Sequence, residues 1–389
     1  MSRDSAESFT ASEEALHEKA LAAVGFDDFG DPSYRNGLRV LLESLDRDAN
    51  LSPIGTMIFR GQIVNSLATR LRVEQRLKDD PSVLENAIRQ PIVITGLVRT
   101  GSTALHYLMG RDPGLQKLEY WLSARPQARP PRSEWNDHPD YQSAKAELEF
   151  LYETTPSLMA VHEMHPDWPE ECRHILDQNF TDDRYEVAAT LPLYTDWYHA
   201  TTHRETYVRH KKLIQLIGST DPKRRWLLKY PVHLRQLAAL LEIYPDACIV
   251  QTHRDPRAVI ASYTSFVSKV RELHERSVDV PAIAKEQATS WADAAEAGIQ
   301  VRQRYPAEQF YDLHFEDFMS DPIRSVKQIY GHFRQELSAA GERQLEDWQA
   351  AHPQGKHGEH RYEKCDIGIS EHQILDHFAG YMEYFGMPA

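Results

Sequence analysis

Residues 96 to 103 read Gly-Leu-Val-Arg-Thr-Gly-Ser-Thr, and the residues on either side indicate where this stretch lies in a fold. The β-branched run Ile92-Val93-Ile94-Thr95 comes directly before it and suits a strand buried on both faces of a parallel sheet. Apolar residues recur at helical spacing directly after it, from Ala104 to Met109. The order strand, glycine-bounded loop and helix is typical of a phosphate-binding loop, because backbone N–H groups and a helix N-terminus converge on one point.

This loop has the length of a Walker A loop, but Ser102 stands where a Walker A loop carries its lysine. ATP hydrolysis is therefore not expected, although the backbone can still hold a phosphate group. Arg99 is a candidate for the missing positive charge. A tight connection between strand and helix, without any ligand, is the alternative interpretation of the two glycines.

A second basic stretch, HRDPRAVIAS, occupies residues 253–262 and follows the apolar run Cys248-Ile249-Val250. It leaves a predicted strand and enters a helix, and it carries Arg254 and, eight residues later, Ser262. Taken alone, Arg254 is more typical of a surface salt bridge, with Asp255 as a partner. Parallel sheets bind ligands at the carboxyl ends of their strands, however, and both basic stretches follow such ends. Two anion sites at one edge of a sheet predict a bisphosphorylated nucleotide as the ligand.

Further strand candidates complete the fold prediction. Trp226-Leu227-Leu228 ends at Lys229, and the run from Phe310 to Phe315 leads into another helix. Four strand candidates that alternate with helices indicate βαβ order and hence a parallel sheet. We predict an α/β fold, a P-loop-like three-layer sandwich whose central parallel sheet is flanked by helices. Residues 1–90 are predicted to form a helical N-terminal extension that packs as one compact unit with the α/β domain of residues 91–389.

Two polar segments are expected to lack regular structure. Residues 125–139, RPQARPPRSEWNDHP, are too rich in proline for a helix or strand, and we expect a surface loop or lid. Residues 352–362, HPQGKHGEHRY, are polar, basic and irregular although the surrounding chain is acidic.

The composition limits the classes of partner. The chain has 58 acidic and 44 basic residues and a net charge of −14, so its overall field repels nucleic acid and anionic lipid surfaces. Its 3 cysteines are widely spaced, which favours a reducing compartment over a disulfide framework. No window approaches the ~20 apolar residues that span a bilayer, and the acidic start lacks the core of a secretory signal. We expect a cytoplasmic protein with a homodimer as its candidate assembly, no nucleic-acid partner and no integral membrane association.

Both basic stretches resemble motifs of one enzyme family. GLVRTGST is similar to the 5′-phosphosulfate loop of sulfotransferases, and HRDPRAVIAS is similar to their 3′-phosphate motif. Five further stretches resemble the bacterial, mycobacterial-type branch of that family: NSLATRLRVEQRL before the first loop, PEEC at 169–172, LLKYPVHL at 227–234, LHFEDF at 313–318 and GKHGEHRY near the end. The resemblance spans roughly residues 50 to 385.

The resemblance implies a transferase that uses 3′-phosphoadenosine 5′-phosphosulfate (PAPS) and releases 3′-phosphoadenosine 5′-phosphate (PAP). A sulfuryl group would pass to a hydroxyl of an apolar or lipid-like small molecule, without a metal ion. Arg99 and Lys229 are expected to stabilise the charge that develops during transfer. The residues implied in donor binding are Arg99, Thr100, Gly101, Ser102 and Thr103 for the 5′ end, and Arg254, Ser262, Lys356, His357 and Gly358 for the 3′-phosphate.

The acceptor hydroxyl must lose its proton as sulfur arrives, so a base is needed within hydrogen-bond reach. His233, in LLKYPVHL, is similar to the histidine that follows a lysine in cytosolic sulfotransferases. Glu119 lies about where tyrosylprotein and heparan-type relatives carry a catalytic glutamate. His162 and His165 are further candidates.

Two other functions stay open from the residues alone. A P-loop small-molecule kinase would need a Walker lysine and a magnesium ligand, and Ser102 argues against the first. A catalytically silent nucleotide- or lipid-binding protein of the same fold would keep the binding residues without turnover. Although the chain has 19 histidines, no HExxH motif supports a metal site, and we predict none.

Overall fold

Five parallel strands form one sheet, with β-branched and apolar runs at its centre. The chain is described from a computed structural model that covers residues 8–154, 163–352 and 367–388. The strands are β1 (Ile92–Gly96), β2 (Leu115–Lys117), β3 (Arg225–Lys229), β4 (Cys248–His253) and β5 (Phe310–His314), in the spatial order β2-β3-β1-β4-β5. The four predicted strands are confirmed, and β2 is an additional edge strand. Its three residues, Leu-Gln-Lys, carry no β-branched side chain that would have indicated it.

The central strands are buried on both faces, as a sheet between two helical layers requires. All five residues of β1 and all six of β4 are buried. One face forms a core with Leu105, Phe318 and Ile329, which belong to helices on that side. The predicted three-layer α/β architecture is confirmed.

Eighteen α-helices accompany the sheet in the described residues. In chain order they are α1 (Glu13–Val24), α2 (Tyr34–Arg47), α3 (Pro53–Asp79), α4 (Ser102–Met109), α5 (Tyr120–Ala124), α6 (Pro139–Thr154), α7 (Arg173–Leu176), α8 (Arg184–Ala188), α9 (Pro192–Ala200), α10 (Arg204–Ile217), α11 (Leu237–Ile243), α12 (Pro256–His274), α13 (Val280–Arg302), α14 (Phe315–Ser320), α15 (Pro322–His332), α16 (Ala339–Ala351), α17 (Glu371–His377) and α18 (Ala379–Tyr384). Where the described chain is helical, no helix has the length and apolar character needed to cross a membrane.

The chain divides into two compact units. The first comprises Met1–Glu85, Arg173–Leu216 and Ser265–Asp279; the second comprises Asn86–Cys172, Ile217–Thr264 and Val280–Ala389. The unit that contains the N-terminal helices thus draws on two later segments, which a division at residue 90 does not include. The whole sheet belongs to the second unit.

The proline-rich segment 125–139 is more ordered than its composition suggests. It contains a 3₁₀ helix at Arg132–Asp137, and Trp135 is 5% exposed and packs edge-on against Trp121. The indole N–H of Trp135 donates to the carbonyl of Pro130 at 2.9 Å. The expectation of a segment without regular structure is therefore wrong at these residues, because one buried aromatic side chain anchors them.

Arg70 links three chain segments inside the first unit, although it is only 1% exposed. Its guanidinium donates to the carbonyls of Phe29 and Asp31, both at 2.6 Å. It also donates to the Asn179 side chain at 2.8 Å and lies 4.4 Å from the centre of the Tyr34 ring. A buried cation is tolerated only where its N–H groups are partnered in this way.

We expect Arg70→Met to lower the free energy of unfolding by about 3 kcal/mol, because the buried Asn179 side chain and two backbone carbonyls lose their donor. Arg72→Met is the matched control, since Arg72 is half-buried on the same helix, and it should change the value by less than about 0.5 kcal/mol. Denaturant titration of both variants measures the difference. Equal effects of the two substitutions would contradict the role given to Arg70.

Candidate active site

Three neighbouring strand ends bring the basic residues of the sequence motifs to one edge of the sheet. In register, Ile94 of β1 lies beside Lys229, the last residue of β3. On the other side of β1, Gly96 lies beside Thr252 of β4, two residues before Arg254. The loop that carries Arg99 leaves the central strand of the three. Carboxyl ends of adjacent parallel strands are where such sheets bind ligands.

The loop after β1 has a conformation that its glycines permit. Gly96 has φ +133°, and a Cβ there would lie 2.3 Å from the carbonyl oxygen of Thr252. Gly101 has φ +80°, and Arg99, which is not a glycine, has φ +61°. Backbone strain of this kind at a non-glycine residue is concentrated at functional sites. The hydroxyls of Thr100 and Thr252 lie 2.6 Å apart and join the loop to β4.

Arg99 and Arg254 lie together, as the sequence predicts. The Nε of Arg99 donates to the hydroxyl of Ser262 at 3.0 Å, so the first loop reaches the second motif. The guanidinium of Arg254 donates to the backbone carbonyl of Arg99 at 2.9 Å. Asp255, the alternative partner for Arg254, is bonded instead by the guanidinium of Arg257. The two basic stretches therefore form one cluster of positive charge.

The Phe315 ring packs against this cluster of positive charge. The Arg254 guanidinium lies 4.1 Å from the centre of the Phe315 ring, within the range of a cation–π contact. A Cβ at Gly101 would lie 3.1 Å from the same ring, so loop and ring are closely packed. Phe315 belongs to the LHFEDF stretch and is the first residue of α14. The stretch thus packs against both basic motifs.

Lys229 supplies from β3 the lysine that the loop lacks at Ser102. Its side chain is 2% exposed, and its ammonium donates to the hydroxyl of Thr103, in the first turn of α4, at 3.0 Å. Three residues further along α4, His106 is fully buried. Burial, reinforced by the Lys229 ammonium, holds the pKa of His106 well below its ordinary value. The positive charge at the start of α4 therefore comes from Lys229.

Glu171 is the carboxylate at this site, and it is absent from the candidates that the sequence provides. It forms an ion pair with Lys229, and its side chain is 20% exposed. The PEEC stretch holds it there, because the N–H of Cys172 donates to the carbonyl of Lys229 at 3.1 Å. The N–H of Glu170 donates to the carbonyl of Leu118 at 2.7 Å. The adjacent acidic residues Glu170 and Glu171 in the PEEC stretch were the signal in the sequence that could have indicated a carboxylate at this site.

Glu119 lies in a different environment. It is 5% exposed and precedes α5, and its carboxylate accepts hydrogen bonds from Nε (3.2 Å) and Nη2 (3.0 Å) of Arg129. Arg129 also donates to the side chain of Gln116 at 2.9 Å and to the carbonyl of Lys117 at 2.6 Å. This buried network ties the segment after α5 to the edge strand β2. The catalytic role of Glu119 stays a prediction, and its observed contacts are structural.

Of the remaining site candidates from the sequence, the structure describes His233 and His165. His233 lies in the 3₁₀ helix Pro231–Leu234 and is 0% exposed. This 3₁₀ helix begins at Pro231 and comes before α11. His165 packs against Trp168 with ring centres 3.9 Å apart and ring planes tilted by 39°. Four candidates, His162, Lys356, His357 and Gly358, lie outside the described residues.

The arrangement suits an anion with two charged ends. Arg99, Lys229 and Arg254 contribute three cations at these strand ends, where Glu171 pairs with Lys229 and Asp255 pairs with Arg257. Three strand ends and the start of α4 aim N–H groups and cations at a common region. Such a site binds phosphate-like groups and stabilises negative charge that develops on their oxygens.

Known proteins resemble this chain along most of its length. Residues 91–339 match the profile of a family described as "Sulfotransferase family". The crystal structure of sulfotransferase STF1 from Mycobacterium tuberculosis H37Rv is 34% identical, with a TM-score of 0.88 over 96% of this chain and 100% of that one. Sulfotransferase STF9 from Mycobacterium avium has a TM-score of 0.90 over 100% of this chain and 99% of that one, and at 23% identity the likeness concerns the fold.

A shorter match concerns the omega-hydroxy-beta-dihydromenaquinone-9 sulfotransferase Stf3 of Mycobacterium bovis. The two sequences are 24% identical over 132 residues, which is 33% of this chain and 34% of that protein. The match therefore spans about a third of the length of that relative.

Proposed function

The chain belongs to the sulfotransferase family, and we propose that it transfers the sulfuryl group of PAPS to a hydroxyl of an apolar or lipid-like small molecule. One observation carries the proposal: Arg99 bonds Ser262, and Arg254 bonds the carbonyl of Arg99, so the two basic stretches form a single site. PAPS carries a phosphosulfate at its 5′ end and a phosphate at its 3′ position. Two anion-binding stretches at adjacent strand ends match these two charged ends.

The donor's 5′ end is assigned to the loop from Arg99 to Thr103, and its 3′-phosphate to Arg254 and Ser262. Both arginines now donate to uncharged oxygens of the protein. Phosphate oxygens are stronger acceptors for guanidinium groups, since charge-assisted bonds are about twice as strong as neutral ones. Bonds from the two guanidinium groups to donor oxygens therefore favour binding.

The transfer itself follows from charge and position. The acceptor oxygen attacks sulfur in line, the bond between sulfur and the 5′-phosphate oxygen breaks, and the electron pair stays on PAP. By analogy with phosphoryl transfer, the transition state is loose and needs positioning and positive charge more than covalent help. Arg99 stabilises the sulfuryl oxygens, and Lys229 stabilises the leaving oxygen. Neither role requires a metal ion.

We propose Glu171 as the base that accepts the proton of the acceptor hydroxyl. Its carboxylate lies beside Lys229 and is 20% exposed, so a hydroxyl that approaches the sulfur can reach it. Glu119 is 5% exposed, and His233 has no exposed surface. Exposure therefore favours Glu171 over these two candidates from the sequence.

The acceptor class is supported by one relative. Stf3 is named for an omega-hydroxy compound of dihydromenaquinone-9, which combines a hydroxyl group with an apolar body. A hydroxyl on an apolar molecule is therefore the acceptor we propose here. A cytoplasmic location and a homodimeric state stay predictions from the sequence.

The donor assignment predicts selective nucleotide binding. PAP should bind about 10- to 100-fold more tightly than adenosine 5′-phosphate, because a hydrogen bond to a charged group contributes about 1.5–3 kcal/mol. Isothermal titration with PAP, adenosine 5′-phosphate and ATP measures this, and transfer of labelled sulfate should be unchanged by EDTA. Binding of ATP without PAP would favour a kinase. Binding of PAP without transfer to any hydroxyl acceptor would favour a silent protein.

Lys229→Met and Arg254→Gln should separate transfer from donor binding. Lys229→Met should lower kcat by about 100-fold or more with little change in donor KM, because its charge acts at the leaving oxygen. Arg254→Gln should raise donor KM by about tenfold or more with little change in kcat. Steady-state kinetics with varied donor test the two variants side by side. Parallel losses in both parameters for both variants would contradict the assigned roles.

The base assignment predicts that Glu171→Gln lowers kcat by about 100-fold or more at saturating donor. Glu119→Gln should mainly lower thermal stability, because it weakens a buried ion pair. His233→Asn is the third variant of the comparison. A large loss of kcat with Glu119→Gln or His233→Asn, and none with Glu171→Gln, would overturn the assignment.

A further inference from the structure

The last helix of the described chain contacts the strand end that leads to Arg254. Tyr381 of α18 is 3% exposed, and its hydroxyl lies 2.8 Å from Nδ1 of His253, the last residue of β4. The other ring nitrogen of His253, Nε2, lies 2.9 Å from Oδ1 of Asp312 in β5. His253 is 0% exposed, so its contact with Tyr381 is buried, whereas the Asp312 side chain is 35% exposed. All of these residues belong to the second unit.

Neighbouring charges determine where the protons lie in this network. Both carboxylate oxygens of Asp312 accept from Arg302, at 2.6 and 2.8 Å. Burial alone would raise the pKa of Asp312. The hydrogen bonds from Arg302 and His253 outweigh this and hold the pKa well below its usual range. Asp312 is therefore an acceptor only, and Nε2 of His253 carries the proton that bonds it.

The tautomer of His253 fixes the role of Tyr381. Burial lowers the pKa of His253, which keeps the ring neutral and leaves Nδ1 as an acceptor. The Tyr381 hydroxyl therefore donates to Nδ1. A directed chain of hydrogen bonds thus runs from Tyr381 through His253, the residue directly before Arg254, to Asp312.

We propose that Tyr381 is a positioning residue for Arg254, so that the last helix sets where the Arg254 guanidinium meets the donor's 3′-phosphate. This inference rests on the proposed function. The Phe315 ring and the carbonyl of Arg99 orient the guanidinium. Tyr381 acts at the other end of the residue, through His253, the last residue of β4 and the one that directly precedes Arg254.

Tyr381→Phe removes the hydroxyl and keeps the ring. We expect its affinity for PAP to fall by about tenfold, since one hydrogen bond and the alignment that depends on it are lost. Affinity for adenosine 5′-phosphate, which lacks the 3′-phosphate, should be unchanged, and kcat at saturating donor should stay within about twofold. Isothermal titration with both nucleotides measures the selectivity, and a residue with only a structural role would not change it.

Tyr384→Phe is the matched control, because Tyr384 lies in the same helix and is 44% exposed. It should bind both nucleotides as the wild-type protein does. His253→Leu removes the acceptor of the Tyr381 hydroxyl from the strand side and should give the same selective loss, which keeps the test available if Tyr381→Phe does not fold.

The outcomes separate the two proposals. If the wild-type protein does not bind PAP, the proposed function is wrong and this inference falls with it. If the wild-type protein binds PAP and Tyr381→Phe binds it equally well, only the inference is overturned. Equal weakening of both nucleotides by Tyr381→Phe would also overturn it, because the 3′-phosphate would then play no part in the effect.

Discussion

The hydrogen bond from the Arg254 guanidinium to the Arg99 carbonyl joins the connections that leave two adjacent strands. It can form only because β1 and β4 pair in parallel with Gly96 beside Thr252, which brings both connections to the same edge. The absence of a Cβ at Gly96 lets the first connection start against the Thr252 carbonyl. The register of one strand pair thus fixes the distance between the two parts of the site.

Positive charge at this site is distributed over the sheet rather than carried by one loop. A Walker A loop holds its own lysine, whereas here the lysine comes from β3 and reaches Thr103 at the start of α4. Each cation is therefore placed by a different strand end. Sheet geometry, which is rigid, consequently controls the relative positions of Arg99, Lys229 and Arg254. A preorganised arrangement of this kind is what stabilisation of a charged transition state requires.

The strands and the position of the two basic stretches could be predicted from the sequence, because they depend on local pattern and on general rules of parallel sheets. The four longer strands were indicated by apolar runs, β-branched in β1 and β4 and rich in leucine or aromatic residues in β3 and β5. The meeting of Arg99 with Arg254 followed from the rule for strand ends. Contacts that depend on tertiary pairing could not be predicted. Glu171 reaches Lys229 only because the backbone of Cys172 pairs with the end of β3, and no spacing in the sequence encodes that contact. The pairing of Glu119 with Arg129 escaped prediction for the same reason.

The first unit is assembled from pieces far apart in the chain, and this affects its synthesis. Glu275 bridges to Leu51 and accepts a hydrogen bond from the N–H of Thr190 at 2.8 Å. At typical translation rates, roughly 10–40 s pass between synthesis of residue 85 and that of Glu275. During this interval the apolar faces of α1, α2 and α3 leave the ribosome without their later partners. Until Glu275 has left the ribosome, these helices therefore expose apolar surface of the kind that chaperones bind.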